Sequence, residues 1–259
     1  MSERWSSGED YEPFIGRWSR LVALDFLNWL NISSKKRWLD VGCGTGALSS
    51  TILAGFEPTA ILGIDPSPEY VAWASSRVND DRARFETGDA TRLPASTADV
   101  VVSGLVLNFL PNPALALSAM RAAAPKGIIA AYVWDYAGRM DLLRHFWDAA
   151  VALDPKALSL DEGNKFPICQ PDSLTALWKE AGLTDVSTRA IDVPTAFSDF
   201  EDFWNPFLGG QGPAPTYALS LGEKDRNALR EMIRSRLPIS SDGSIHLIAR
   251  AWAVQGRSN

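Results

Sequence analysis

38-WLDVGCGTGALS-49 joins a short apolar run to a turn containing Gly42, Gly44 and Gly46, and then to the start of a helical pattern. A strand, a glycine turn and a helix in that order let the backbone approach a nucleotide-like ligand closely, because glycine has no Cβ and adopts left-handed dihedrals at little cost. Read from Gly42, Gly44 and Ala47, the turn fits the dinucleotide pattern G-x-G-x-x-G/A; read from Gly42, Gly44 and Gly46, it fits G-x-G-x-G. The turn alone selects no ligand.

Outward from the turn the chain alternates in type. Apolar runs at 37–41, 60–64, 83–86, 99–103 and 127–134 predict strands, and residues 47–54, 68–78 and 113–123 between them predict helices. This is the pattern of a doubly wound α/β fold with a parallel sheet. Ahead of the first strand, Leu21, Val22, Leu24, Phe26, Leu27 and Leu30 recur at helical spacing and predict an amphipathic helix. After residue 170 the alternation stops: 171–181 predicts a helix, 184–191 a strand and 244–253 a final strand. The segment 192–243 is too long for a plain connection and predicts a lid or a helical cap. The expected organisation is one domain, with an amino-terminal arm (1–35), a core (36–191), a cap insertion (192–243) and a last strand with its tail (244–259).

Composition narrows the function classes. A chain of 259 residues, 46% hydrophobic, buries a sizeable core, and its net charge of −6 offers no field for a nucleic-acid backbone. Cys43 and Cys169 are too far apart for a disulfide framework or metal spacing, so no metal is expected and a reducing cytoplasm is the simple reading. The longest apolar run, near 98–110, is too short and interrupted to span a bilayer, and the amino terminus lacks a signal-like apolar stretch. A soluble cytoplasmic protein is expected.

Three acids address the ligand. Asp65, in GIDPS, follows the second apolar run about 20 residues after the turn, the spacing at which a carboxylate accepts from ribose hydroxyls. Asp40 stands beside the turn, where it repels a pyrophosphate and attracts a cation. Asp89, in GDATRLP, follows the third strand, where it can accept from an adenine amino group while the Ala90 N–H donates to the ring. Together with the lack of a second mononucleotide-binding half, these residues lean toward S-adenosylmethionine over NAD.

DVGCGTG, GIDPS, GDATRLP and ADVVVSGLVLNFLPNP resemble the successive motifs of class I S-adenosylmethionine-dependent methyltransferases, in particular the ubiquinone/menaquinone-biosynthesis C-methyltransferase-like group. The resemblance covers roughly 37–134, and PDSLTALWKEAGLTDV is similar to that family's later helix and sixth strand. It implies a seven-stranded mixed sheet and S-adenosylmethionine as cofactor. It implies further that Asp40, Gly42 and Gly44 surround the methionine part, that Asp65 holds the ribose, and that Asp89 and Ala90 hold the adenine, with Cys43, Gly46 and Pro66 also in the cofactor-binding set. Asn108 belongs to the same set, although many relatives carry histidine there, which removes a titratable group.

Methyl transfer needs orientation and dryness more than a catalytic triad. If the acceptor must lose a proton, the candidates are Asp135 and Tyr136 after the fifth strand and His145 on an aromatic-rich helix, with His246 read as structural; Asp135 and Tyr136 serve equally well as a loop turn or cap. Tyr11 can wall the cofactor, and Arg17 or Arg20 can pair with its carboxylate, or both arginines are solvated beside a packed Trp18. Trp134, Trp204 and Phe207 are candidate acceptor contacts, although Phe197, Phe200, Phe203, Trp204 and Phe207 also fit a cap helix burying its own apolar face. Residues 191–222 contain acids but no lysine or arginine, which favours a small neutral, apolar or aromatic acceptor. The rival readings are an NAD-dependent oxidoreductase and a catalytically silent S-adenosylmethionine-binding protein.

Overall fold

The computed structural model describes residues 17–209 and 212–259. Tyr11 lies outside them, as does the side chain of Arg17. The described chain begins with α1 (Arg17–Leu30) and continues through β1 (Arg37–Val41), α2 (Ala47–Gly55), β2 (Ala60–Asp65), α3 (Pro68–Arg77) and β3 (Ala83–Thr87). Next come β4 (Val100–Gly104), a 3-10 turn (Leu107–Phe109), α4 (Pro113–Ala123) and β5 (Ile128–Trp134). Beyond β5 lie α5 (Asp141–Leu153), α6 (Glu162–Lys165), α7 (Pro171–Glu180) and β6 (Thr184–Phe197). Then follow α8 (Phe200–Trp204), α9 (Pro213–Ser220), α10 (Glu223–Arg236) and β7 (Ile245–Arg257). The seven strands form one mixed sheet in the order β3-β2-β1-β4-β5-β7-β6.

Parallel register is fixed early. Asp40 pairs with Gly63 on one side and Val102 on the other, so β1 is central, and its Trp38, Leu39 and Val41 are buried as a continuous apolar run. The predicted strand starts and ends for β1 to β5 agree with the structure to within a residue. β6 does not stop at residue 191: Ile191, Val193, Thr195 and Phe197 all face inward with period two, and Pro194 falls on an exposed position of that alternation. The cap segment expected from residue 192 therefore starts as strand.

The chain divides into two compact units. One comprises 19–133, 168–191 and 251–259 and holds the parallel strands and the glycine turn. The other comprises, among the described residues, 17–18, 134–167 and 192–250, so the helical unit is built from the α5–α6 region as well as from the expected insertion. Its core is aromatic. Phe146 stacks on Phe207 at 4.6 Å, Trp18 meets Phe197 edge-on at 5.3 Å, and Phe197 meets Phe203 at 5.2 Å. No helix among the described residues is long and apolar enough to cross a membrane.

Candidate functional site

The glycine turn is fastened to β2 from both ends. The Gly42 and Cys43 N–H groups donate to the Ile64 carbonyl at 2.7 and 3.1 Å, and the Gly44 N–H donates to Asp65 Oδ2 at 2.9 Å. Asp65 Oδ1 accepts from the Ser67 N–H at 2.9 Å, so this carboxylate ties the turn to the start of α3. Each of its oxygens retains a lone pair, which leaves acceptor capacity for two hydroxyls.

Gly42 has φ +74°, and a Cβ there would sit 2.5 Å from the Val106 side chain. Gly44 differs: at φ +50°, a Cβ would meet nothing within 4 Å, so the backbone borders open space. Val106 is held over Gly42 by the turn after β4, where Leu105 takes φ +62° and its N–H donates to the Tyr132 carbonyl at 2.8 Å. A non-glycine residue in that region is costly, and such residues gather at functional sites. Leu105 lies within the ADVVVSGLVLNFLPNP motif, but nothing in the sequence marked its left-handed backbone.

Asp40 is 1% exposed, and its Oδ2 accepts from Ser49 Oγ, on α2, at 2.7 Å. Burial pushes its carboxyl up to about 6, with Ser49 opposing and the charge of Asp65 adding. A buried acid with one neutral hydroxyl partner is poised to stabilise a cation. Ser49 was not singled out from the sequence; its place in the first turn of α2 is the only signal. Cys43 is buried, and burial followed by the charges of Asp40 and Asp65 pushes its thiol up, so it packs as a neutral filler.

The other cofactor candidates lie at the same end of the sheet. The Gly88 N–H donates to the Asp65 carbonyl at 3.0 Å, bringing the end of β3 against β2. Asp89 is exposed, and its Oδ1 accepts from the Thr91 N–H and hydroxyl at 2.8 and 2.9 Å, which holds the loop and depresses its carboxyl. Pro66 is exposed beside Asp65, and Asn108 sits in the 3-10 turn after β4 with its Nδ2 buried and lacking a partner among the described residues. An orphaned amide, open space over Gly44 and a buried acid fit a ligand with polar acceptors and a cationic group.

Asp135 is 3% exposed, and its two carboxylate oxygens accept from the Gly138 and Arg139 N–H groups at 3.0 and 3.1 Å. It therefore fastens the loop after β5. Tyr136 is buried with its ring 5.6 Å from Phe166. His145 is half-buried on α5, and burial lowers its pKa against the pull of Asp141 and Asp148. His246 is exposed on β7, with Nε2 3.1 Å from Ser244 Oγ. Arg20 is exposed on α1.

Trp134 and Phe207 are 2% and 0% exposed. Trp204, 3% exposed, stacks with Phe200 and lines a groove of about 460 Å³ with Glu201, Asn205, Arg226 and Arg230. The aromatic stripe thus mainly fills its own core. Nor is the acidic span left unpaired: Arg250 grips Asp192 through two bonds of 2.6 and 2.9 Å, and Arg230 pairs with Glu201 while lying over Phe200 at 5.0 Å. These arginines lie outside the span 191–222, so a count within it missed them. A buried polar group also escaped sequence reading: Arg144 pairs with Asp161, and Trp147 Nε1 donates to Glu162, whose carboxyl burial pushes up to about 7.

The methyltransferase-domain family profile matches residues 14–188, more than half of the chain. The chain belongs to that family. This sets the glycine turn, Asp40 and Asp65 in a class I, Rossmann-like, S-adenosylmethionine-dependent methyltransferase and decides against the NAD reading. Among curated relatives, trans-aconitate 2-methyltransferase of Streptomyces avermitilis is 28% identical over 84% of both chains. Demethylmenaquinone methyltransferase of Roseiflexus sp. is 27% identical over 62% of this chain and 73% of its own. Phosphoethanolamine N-methyltransferase 2 of Haemonchus contortus, solved in complex with S-adenosyl-L-methionine, superposes with a TM-score of 0.59 at 15% identity, over 96% of this chain and 57% of that one, which establishes the fold. The family is therefore broader than the quinone group that the motifs resemble.

Proposed function

We propose that this methyltransferase acts on a small neutral acceptor, with acceptor choice residing in the unit formed by 134–167 and 192–250. The observation that carries the reading is the pairing within that unit. Arg250 is taken by Asp192, Arg144 by Asp161 and Arg230 by Glu201, while Arg226 donates to the carbonyls of Ala218 and Leu221 at 2.9 and 2.7 Å. At the groove beside Trp204, an anionic acceptor would have to displace an internal partner of Arg226 or Arg230, whereas a neutral one would not. Trp134, Trp204 and Phe207 remain the proposed acceptor-side residues, Trp204 foremost because it borders a groove.

When bound, S-adenosylmethionine supplies a sulfonium methyl group for in-line displacement. Asp40 holds the cationic part, the Gly44 turn admits it closely, Asp65 accepts from the ribose, and Asp89, Ala90 and Asn108 address the adenine side. Asp135 accepts from the Gly138 and Arg139 N–H groups and so orders the loop after β5. His145, held below its usual range by burial, is the side chain in that unit suited to take an acceptor proton.

Turnover tests this. Formation of S-adenosylhomocysteine is compared with a neutral phenol or quinol and with a tricarboxylate as acceptor. Preference for the neutral compounds supports the reading, and preference for the tricarboxylate overturns it. Tight S-adenosylhomocysteine binding without turnover on any class favours the catalytically silent alternative.

A further inference from the structure

A second cavity lies at the opposite end of the parallel strands from the glycine turn, where β1, β4 and β5 begin and β7 ends. Its volume is about 510 Å³, within the range of small-molecule pockets. The five residues of β1 separate it from the turn, a distance of roughly 15 Å. It is stitched together by backbone bonds: the Asp99 N–H donates to the Arg37 carbonyl at 2.9 Å, the Ile128 N–H to the Asp99 carbonyl at 3.1 Å, and the Ser258 N–H to the Gly127 carbonyl at 3.0 Å. Gly127 is required there, because a Cβ would sit 2.6 Å from the Asp99 carbonyl oxygen.

The lining is basic in a chain of net charge −6. Lys36, Arg37, Lys126 and Arg257 line it, against the single carboxylate of Asp99. Asp99 is consumed by Arg37, accepting its N–H at 2.9 Å and its guanidinium at 3.3 and 2.8 Å, which fixes the guanidinium at the wall. Lys36 adds to the field that depresses the Asp99 carboxyl. Among the described residues, Arg257 has only a distant ionic partner, Asp185 at 3.9 Å with both side chains exposed. The carboxyl ends of α1 and α4 also face this end, and each brings about half a negative charge. Among the lining groups, four cations less one carboxylate and these two dipole ends leave an excess of about +2, which the exposed Asp185 beside Arg257 offsets in part. The hydroxyls of Ser33 and Ser96 and the amide of Asn31 border the same space and add neutral donors.

We propose that this pocket binds a small multivalent oxyanion, the chemistry shared by polyphosphates and polycarboxylates. Cations around a half-open cavity, with the Arg37 guanidinium fixed by Asp99, favour an anion small enough to enter it, and a ligand of two or more negative charges matches the excess. The methyl donor does not fit here, since its sulfonium would add to the positive charge. The site is separate from methyl transfer, so its occupancy is read without turnover.

Calorimetric titration of the whole protein at low salt with pyrophosphate, citrate and a single-stranded oligonucleotide tests the proposal. Saturable one-to-one binding of pyrophosphate or citrate is expected, and the arm that binds tells phosphate from carboxylate. Replacing Lys36→Gln together with Lys126→Asn should weaken it at least about tenfold, asparagine being chosen because Lys126 has φ +69° and asparagine tolerates that conformation. Arg84→Gln, a 78% exposed cation on β3, should change it less than about twofold. S-Adenosylhomocysteine affinity of every variant should match the wild type, which also reports folding. Absence of millimolar binding by either small anion, equal affinity in the double variant, or binding of the oligonucleotide alone overturns the proposal.

Discussion

Asp40 makes cofactor binding depend on pH, and the size of the effect follows from its surroundings. Its carboxyl is raised from 3.8 to about 6, chiefly by burial. A cationic ligand favours the ionised form, so affinity should scale with the fraction ionised. That fraction is about 0.9 at pH 7 and about 0.1 at pH 5, which predicts roughly tenfold weaker binding of S-adenosylhomocysteine at the lower pH, or about 1.4 kcal/mol. The ligand retains its amino cation across this window, so the slope reports the protein. Calorimetry across about pH 5–8 measures it, and Asp40→Asn should flatten it. Without ligand, the folded state holds a proton that the unfolded chain has released between pH 3.8 and about 6, so stability falls as pH rises through that window. The full cost is about 3 kcal/mol. A wild-type affinity that stays level from about pH 5 to 8 while the protein remains folded, or a slope that survives in Asp40→Asn, would refute the placement of Asp40 against the cationic part.

Three further outcomes are expected. Gly42→Ala places a Cβ 2.5 Å from Val106 at φ +74°; it should lower stability by about 2–4 kcal/mol in thermal melts and weaken S-adenosylhomocysteine binding, and Val106→Ala in the same chain should recover part of both. Glu162 is raised from 4.5 to about 7 by burial, so wild-type stability should fall as pH rises between those values, whereas Glu162→Gln keeps an acceptor for Trp147 and loses the slope. In urea titrations near pH 8 the variant should be the more stable by up to about 3 kcal/mol, and a variant no more stable than wild type would contradict the burial argument. Phe207→Ala removes a fully buried ring stacked on Phe146 and should cost about 3–5 kcal/mol in urea titrations, with the acceptor KM read on whatever folded fraction remains.

Much of the parallel half was legible because local pattern and tertiary role coincide there. Val100–Gly104 and Ile128–Trp134 are mostly buried apolar runs, the glycines mark positive φ, and the Asp65 carboxylate holds the glycine turn to the start of α3. The carboxyl-terminal half was less legible for physical reasons. Pro194 reads as a strand breaker in sequence, yet its place on the exposed side of the β6 alternation let the strand continue to Phe197. The partners of Asp192 and Glu201 come from Arg250 and Arg230, which are 58 and 29 residues away, and no local window contains them. Glu162 looks like an ordinary surface acid, and only the packing around Trp147 shows it buried. Ser49, the partner of Asp40, looks like one serine of a helix.

The placement of the ribose on Asp65 carries the account, and a crystal structure with S-adenosylhomocysteine measures it directly. Both ribose hydroxyls should lie within about 3 Å of the Asp65 carboxylate, with the Gly44 and Ser67 N–H bonds to the same carboxylate preserved. A complex in which Asp65 keeps only those two backbone partners, and the ribose is held elsewhere, would contradict it.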